Sequence, residues 1–161
     1  MEFDARVGVN SIVDGSGGPV ALSADSAVLA VGAVGNDDAG NQAGHVRVFA
    51  WDAAAAAWAQ RGADIDGEAV DDRSGMSVAI SVGGAVLAVG ALWNDGAGNQ
   101  AGCVRVFAWD EAAADDGVAA DNGPGESVAL SSDGAVLAVR APLPLNGGAG
   151  QAAGAGNRKR D

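Results

Sequence analysis

Short runs in which apolar residues alternate with small or polar ones, broken by glycine, aspartate and asparagine, recur through most of this chain. VALSADSAVLAVGA begins at Val20, VAISVGGAVLAVGA at Val78 and VALSSDGAVLAVRA at Val128. Each segment predicts two β-strands joined by a tight turn, at Ser23-Ala24-Asp25-Ser26, Ser81-Val82-Gly83-Gly84 and Ser131-Ser132-Asp133-Gly134. Asp and Gly suit such turns because they bond their own backbone or tolerate positive φ. A polar loop follows, GNDDAGNQAG from Gly35 and WNDGAGNQAG from Trp93. After it comes a strand of β-branched and aromatic residues, HVRVFAW from His45 and CVRVFAW from Cys103. A fourth strand is expected between Trp58 and Ile65, in the first full copy only. The alanine runs Ala53–Ala57 and Ala112–Ala114 fall far short of the roughly 12–15 residues an isolated helix needs, and both read as loop.

These segments are imperfect copies of one repeat, 58 residues apart from Val20 to Val78 and 50 apart from Val78 to Val128. The second spacer is shorter because it lacks the stretch equivalent to WAQRGADIDGE, which begins at Trp58. The chain therefore divides into the end of a preceding partial repeat (1–19), a first repeat (20–77), a shortened second (78–127), a truncated third (128–145) and a flexible Gly/Ala tail with a basic end (146–161). Val13 to Gly17 matches the lead-in Asp71 to Gly75, which places the opening residues near the end of an earlier copy. Pro142 and Pro144 stop the third copy, since proline cannot donate to a sheet ladder.

Composition changes this picture in two ways. Alanine and glycine are abundant and aromatics make up only 4% of the chain, so each buried position removes little apolar area from water. Ordering the backbone costs about 1–2 kcal/mol per residue, so one repeat is not expected to stand alone. Charge is the second influence. With 9 basic and 21 acidic residues the formal net charge is −12, and three of the basic residues (Arg158, Lys159, Arg160) sit at the C-terminus. Nucleic acid and anionic membranes would be repelled by such a surface. Solubility, cation association or a basic partner are favoured instead. No apolar run approaches the roughly 20 residues needed to span a bilayer, and the N-terminus has no signal-peptide pattern. Cys103 is the single cysteine, which excludes an intramolecular disulfide.

Gly-x-Ser-Val-Ala occurs as Gly75 to Ala79 and Gly125 to Ala129, and Gly-x-Val-x-Val-Phe occurs as Gly44 to Phe49 and Gly102 to Phe107. These two motifs resemble the FG-GAP repeat, the blade unit of integrin-α-like β-propellers. The family's Gly-Ala-Pro survives in pieces, as Gly32-Ala33, Gly90-Ala91 and Ala141-Pro142. The likeness covers residues 13–142 and implies an all-β fold of β-propeller-type blades, about three partial blades forming an incomplete ring. It also implies a secreted or surface parent. Propellers close with about 4–8 blades, so the chain is expected to be a fragment of a longer protein or to complete a ring by self-association. The family's aspartate-rich calcium loop has no counterpart here, since a tight hairpin stands in its place.

The recurrent polar loops hold the candidate site residues. Asn36, Asp37 and Asp38 in the first copy and Asn94 and Asp95 in the second could partly supply the oxygen ligands calcium requires. The alternative is a turn whose Asn, Asp and Gly answer backbone demands. Trp93, Asn41 and Asn99 are the candidate ligand contacts. Asp64, Asp66, Glu68, Asp71 and Asp72 form a second acidic cluster, read as a solvated loop. His45 and Cys103 share one repeat position, which reads as a permissive strand start. Arg47 and Arg105 lie on the strand face of Phe49, Trp51, Phe107 and Trp109, where stacking or pairing with an acid is expected.

Hydrolase elbows, phosphate loops and zinc-protease motifs are absent from the sequence. The reading is a non-enzymatic binding or adhesion-type scaffold contacting a protein or glycan, with no catalytic residue. A calcium-associated structural repeat protein is the alternative, and a carboxylate-dependent hydrolase or lyase on a propeller comes behind it.

Overall fold

The structure, a computed structural model, describes residues 16–96, 101–109, 117–119 and 126–140. The described residues are all-β, with eleven strands among them in three antiparallel sheets. The first sheet contains β1 (Ser16–Leu22), β2 (Val28–Ala33), β3 (His45–Asp52) and β4 (Ala57–Gln60) in sequential order, with β5 (Ile65–Asp66) also pairing with β3. The second contains β6 (Ser74–Ile80), β7 (Val86–Ala91), β8 (Cys103–Ala108) and β9 (Gly117–Ala119). The third pairs β10 (Ser127–Leu130) with β11 (Leu137–Arg140). The lead-in Val13 to Gly15, Pro142, Pro144 and the tail 146–161 lie outside the described residues.

The repeat seen in the sequence is a repeat of pairing register. Leu22 faces Leu29, Ile80 faces Leu87 and Leu130 faces Leu137 across the three hairpins. The turns are built alike: the N–H groups of Ser23, Ser81 and Ser131 donate to the carbonyls of Val28, Val86 and Val136, each at 2.9 Å. The serine hydroxyl oxygens accept the same valines' N–H at 2.9, 3.0 and 2.9 Å. In the outer two turns the hydroxyl also donates to Asp25 or Asp133. That bond, followed by the N–H of Ala27 or Ala135, lowers both carboxyl pKa values below the usual aspartate range. A carbon-13 titration is therefore expected to show Asp25 and Asp133 protonating at a lower pH than an ordinary aspartate. Substituting Ser23 or Ser131 by alanine should return its neighbour toward the ordinary value.

Two findings differ from the sequence expectation. The second repeat does have a fourth strand: β9 pairs with β8 through Arg105–Ala119, Val106–Val118 and Phe107–Gly117. The outer backbone edge of β8 needs partners whatever side chains supply them, so losing the Trp58 stretch does not remove the strand. In the first repeat the expected strand is two pieces, with β4 on Phe49–Asp52 and β5 on His45–Val46. The alanine run is a turn as expected, with Asp52 Oδ1 accepting the N–H groups of Ala54 and Ala55, until β4 begins at Ala57.

Period-two alternation decides what each sheet buries. Val28, Ala30, Val46 and Val48 of the first sheet pack against Leu87 and Val89, with Val78, Ile80, Phe107 and Trp109 around them. The opposite face of the second sheet, Ala88, Val104 and Val106 with Ala79 and Val86, packs against Val128, Leu130, Leu137 and Val139. The middle sheet is thus covered on both sides. Its neighbours are covered on one: Val20 and Leu22 are exposed, whereas their repeat equivalents Val78 and Ile80 are half-buried. Hydrogen bonds also join equivalent turn positions, from Ala24 N–H to the Val82 carbonyl at 3.0 Å and from Val82 N–H to the Ser132 carbonyl at 2.9 Å.

Candidate functional site: the polar end of the sheets

Strand direction gathers the long polar segments at one end. β2 and β7 run toward it, β3 and β8 leave it, and β6 starts there, with Gly44 bridging Ser74. The connector from Gly67 to Ser74 lies against the first polar loop. Asp71, Arg73 and Ser74 donate their N–H groups to the carbonyls of Asn41, Gln42 and Ala43 at 2.9, 3.1 and 2.9 Å. On its other side, Trp93 N–H donates to the Asp72 carbonyl at 3.3 Å. The connector therefore joins the loops of successive repeats.

Asn36 and Asn94 are buried, and their side chains build the loops. Asn36 Oδ1 accepts Asp38 N–H at 3.0 Å, and Asn94 Oδ1 accepts Gly96 N–H at 3.0 Å. Both carbonyl oxygens take the N–H of the loop's last glycine, Gly44 or Gly102. Asp37 Oδ1 accepts Gln42 N–H at 2.7 Å. These bonds favour the turn account of the Asn-Asp loops. Asp37, Asp38, Asn41 and Asp95 are exposed at the tips, and Asn99 lies outside the described residues.

The acidic cluster from Asp64 to Asp72 is more than a solvated loop. Asp72 is 2% exposed, and its Oδ2 accepts the N–H groups of Glu68 and Ala69 and the Asn94 side-chain amide, at 3.0, 2.9 and 2.9 Å. Three donors converge on one buried carboxylate and lock the connector to the second loop. Asp72→Ala would remove the acceptor of the Glu68 and Ala69 N–H groups and leave the Asn94 amide only its 3.2 Å bond to Glu68, and urea denaturation is expected to register a loss of about 2–4 kcal/mol, since a buried unsatisfied donor costs roughly 1–3 kcal/mol. Asp64 is tied to Arg47, whose NH2 and Nε lie 2.8 and 2.9 Å from Oδ2, and to Gln60 at 2.6 Å. The Arg47 bond holds the Asp64 carboxyl below the usual aspartate value, against the opposing effect of burial. The acid-pairing expectation for Arg47 and Arg105 agrees with these contacts: Arg105 reaches Glu68 at 4.0 Å and the Asp66 carbonyl, with Phe107 beneath it at 5.4 Å.

His45 opens β3 as a strand-start residue and is 2% exposed. Register does what sequence spacing concealed, setting His45 opposite Asp66 on β5. Its Nδ1 lies 3.8 Å from Asp64 and 4.0 Å from Asp66. Burial, with the nearby Arg47 charge, lowers the imidazole pKa despite the carboxylates around it. Ligand atoms of Asp38, His45 and Asp64 lie within 4.8 Å of one another. No fixed spacing in the sequence signals this grouping.

Trp93 stands at the rim, 36% exposed, with the Arg73 guanidinium stacked 3.7 Å from its ring centroid. Arg73 NH2 also donates to Gln42 Oε1 at 2.9 Å. An aromatic plate braced by a cation is thus displayed between two acidic loops. Phe107 and Trp109 pack against the sheet-to-sheet core, and Trp51 meets Trp58 edge-on at 5.5 Å.

Fold and site define an all-β protein of repeated antiparallel sheets with one acidic polar end. No family model matches the chain, and no curated protein matches it. Among solved structures it is similar to hydrazine synthase of Kuenenia stuttgartiensis, at 19% identity and a TM-score of 0.43, over 88% of this chain and 33% of that one. The chain thus spans about a third of that structure's length. Among the described residues, no helix is long and apolar enough to cross a membrane.

Proposed function

We propose that this chain is part of a non-enzymatic binding scaffold of β-propeller type, with its sheets as blades and its polar end as the contact surface for a protein or glycan. The observation that carries this reading is the pair of turn-to-turn hydrogen bonds, Ala24 to Val82 and Val82 to Ser132, which relate equivalent positions of successive sheets. Such contacts propagate an array in which each unit touches its neighbours. The FG-GAP-like motifs support the same architecture. The exposed face of Val20 and Leu22 calls for a further blade, from a longer parent chain or from self-association.

Loops carry binding when a rigid scaffold positions them, and here Trp93 is the aromatic anchor, with Asp95 in its own polar loop and Asp37 in the preceding one. Tyr, Trp and Arg supply most of the binding energy in protein interfaces. The test is a screen of the purified chain over a glycan array and over immobilised basic and neutral proteins, followed by the same screen with Trp93→Ala, Asp37→Asn and Asp95→Asn combined. The expected result is a partner bound by the parent chain and lost, by about tenfold or more in affinity, in the combined variant with its melt unchanged. A partner retained at full affinity by the variant would remove the polar end as the contact surface.

A further inference from the structure

The chain has one histidine, and its surroundings are unlike those of any repeat-equivalent residue. His45 is buried, and its Nδ1 has no hydrogen-bond partner. The nearest carboxylate oxygens, at 3.8 and 4.0 Å, are beyond hydrogen-bonding distance. A neutral imidazole there presents either a proton without an acceptor or a lone pair facing carboxylates. Both arrangements are unfavourable for a buried polar atom. A cation between the ring and the carboxylates would give Nδ1 the partner it lacks.

We propose that His45 Nδ1, with the carboxylates of Asp38, Asp64 and Asp66, forms a binding site for one divalent transition cation of the zinc class. The donor set selects that class, because an imidazole nitrogen with carboxylate oxygens suits zinc and its neighbours, whereas calcium takes 6–8 oxygens. Charge agrees: three carboxylates against the Arg47 guanidinium leave two negative charges for a divalent ion. Zinc bonds of about 2.0–2.2 Å in tetrahedral geometry set ligands roughly 3.4 Å apart. The ligand atoms of Asp38, His45 and Asp64, already within 4.8 Å of one another, and Asp66 Oδ1, 4.0 Å from Nδ1, close to that spacing if Asp38, on its exposed loop, swings inward. Arg47 and Gln60 fix the Asp64 carboxylate as partners of metal ligands do, Arg47 on Oδ2, the oxygen nearest the imidazole, and Gln60 on Oδ1.

The site belongs to the first repeat alone. In the second, Cys103 stands where His45 does, Gly96 stands where Asp38 does, and the stretch carrying Asp64 and Asp66 has no counterpart. The fold therefore does not require this cluster. The site is also independent of the partner-binding reading, since it uses neither Trp93 nor Asp95.

The experiment uses the full chain stripped with EDTA and titrated with zinc by calorimetry, with cobalt(II) absorption as a coordination signature. Nitrogen-15 NMR of the imidazole reports on His45 without ambiguity, because no other histidine exists, and it separates this site from thiol binding at Cys103. The expected result is saturation at one equivalent, visible cobalt bands and an imidazole shift that saturates with the metal. Asp38→Asn, on an exposed loop, should keep the melt of the parent chain and weaken zinc affinity about tenfold or more, and His45→Gln should abolish the site. Should His45→Gln fail to fold, the imidazole shift and Asp38→Asn decide the matter. No saturation at one equivalent, an imidazole unmoved by metal, or affinity unchanged in Asp38→Asn would overturn the proposal. Equal displacement of zinc by calcium would overturn the class of ion.

Discussion

Gly44→Ala is expected to destabilise the protein by about 3 kcal/mol or more, enough to abolish the cooperative transition of a thin-cored chain. Gly44 sits at φ +72°, where an L side chain costs about 1–2 kcal/mol. Space is the larger difficulty. A Cβ at this position would collide with the Ser74 carbonyl oxygen and lie 2.7 Å from the Ser74 nitrogen. Both atoms are backbone, so no rotamer change relieves the overlap. The first loop and the connector would have to separate, weakening the bonds that Arg73 and Ser74 donate to Gln42 and Ala43. Gly83→Ala is the matched control, since a Cβ there meets nothing within 4 Å, and it should fall within about 0.5 kcal/mol of the parent. Urea midpoints of the two variants make the comparison. Equal midpoints would mean that the repeats are not joined as the structure joins them.

Leu87→Ala should cost about 2–5 kcal/mol, as for other large-to-small core changes. Leu87 is fully buried where the first and second sheets meet, among Val28, Ala30, Val46, Val48 and Val89. Repeat equivalence supplies internal controls of a kind most proteins lack. Leu29 and Leu137 occupy the same repeat position but are only half-buried, because Leu29 faces the uncovered side of the first sheet and Leu137 lies in a sheet of two described strands. Truncating either should cost less than half as much. If all three substitutions cost the same, the middle sheet is not enclosed by its neighbours. A larger effect at Leu29 than at Leu87 would point to a further sheet covering the outer face in solution.

The turns and strand pairs were legible because their causes are local. Alternation over a few residues marks β2, β3, β7 and β8, and the serine that starts each hairpin turn bonds a valine five residues away. Similar local sequence then produces the same hairpin register three times over. The fourth strand was harder to read. β9 is held by the open backbone edge of β8, and backbone pairing leaves little mark on side-chain identity. Asp72 looked like one more loop acid, yet it is the buried acceptor for three donors, one of them from Asn94 in the following loop. Its role depends on a partner 22 residues away.

The sequence by itself determined the repeat, its all-β character, the position of its turns and the acidity of its loops. Each of these follows from side-chain alternation, turn chemistry or net charge, none of which needs distant contacts. Tertiary structure alone decided which face of each sheet is covered and which acids meet His45. The second outcome rests on β5 pairing with the start of β3, which sets Asp64 and Asp66 near an imidazole some twenty residues earlier in the chain. At Cys103 the same strand start carries a thiol in place of the imidazole, so an equivalent position acquires different chemistry. Backbone register, set by long-range pairing, selects the neighbours of a buried group, and the identity of that group does not reveal them.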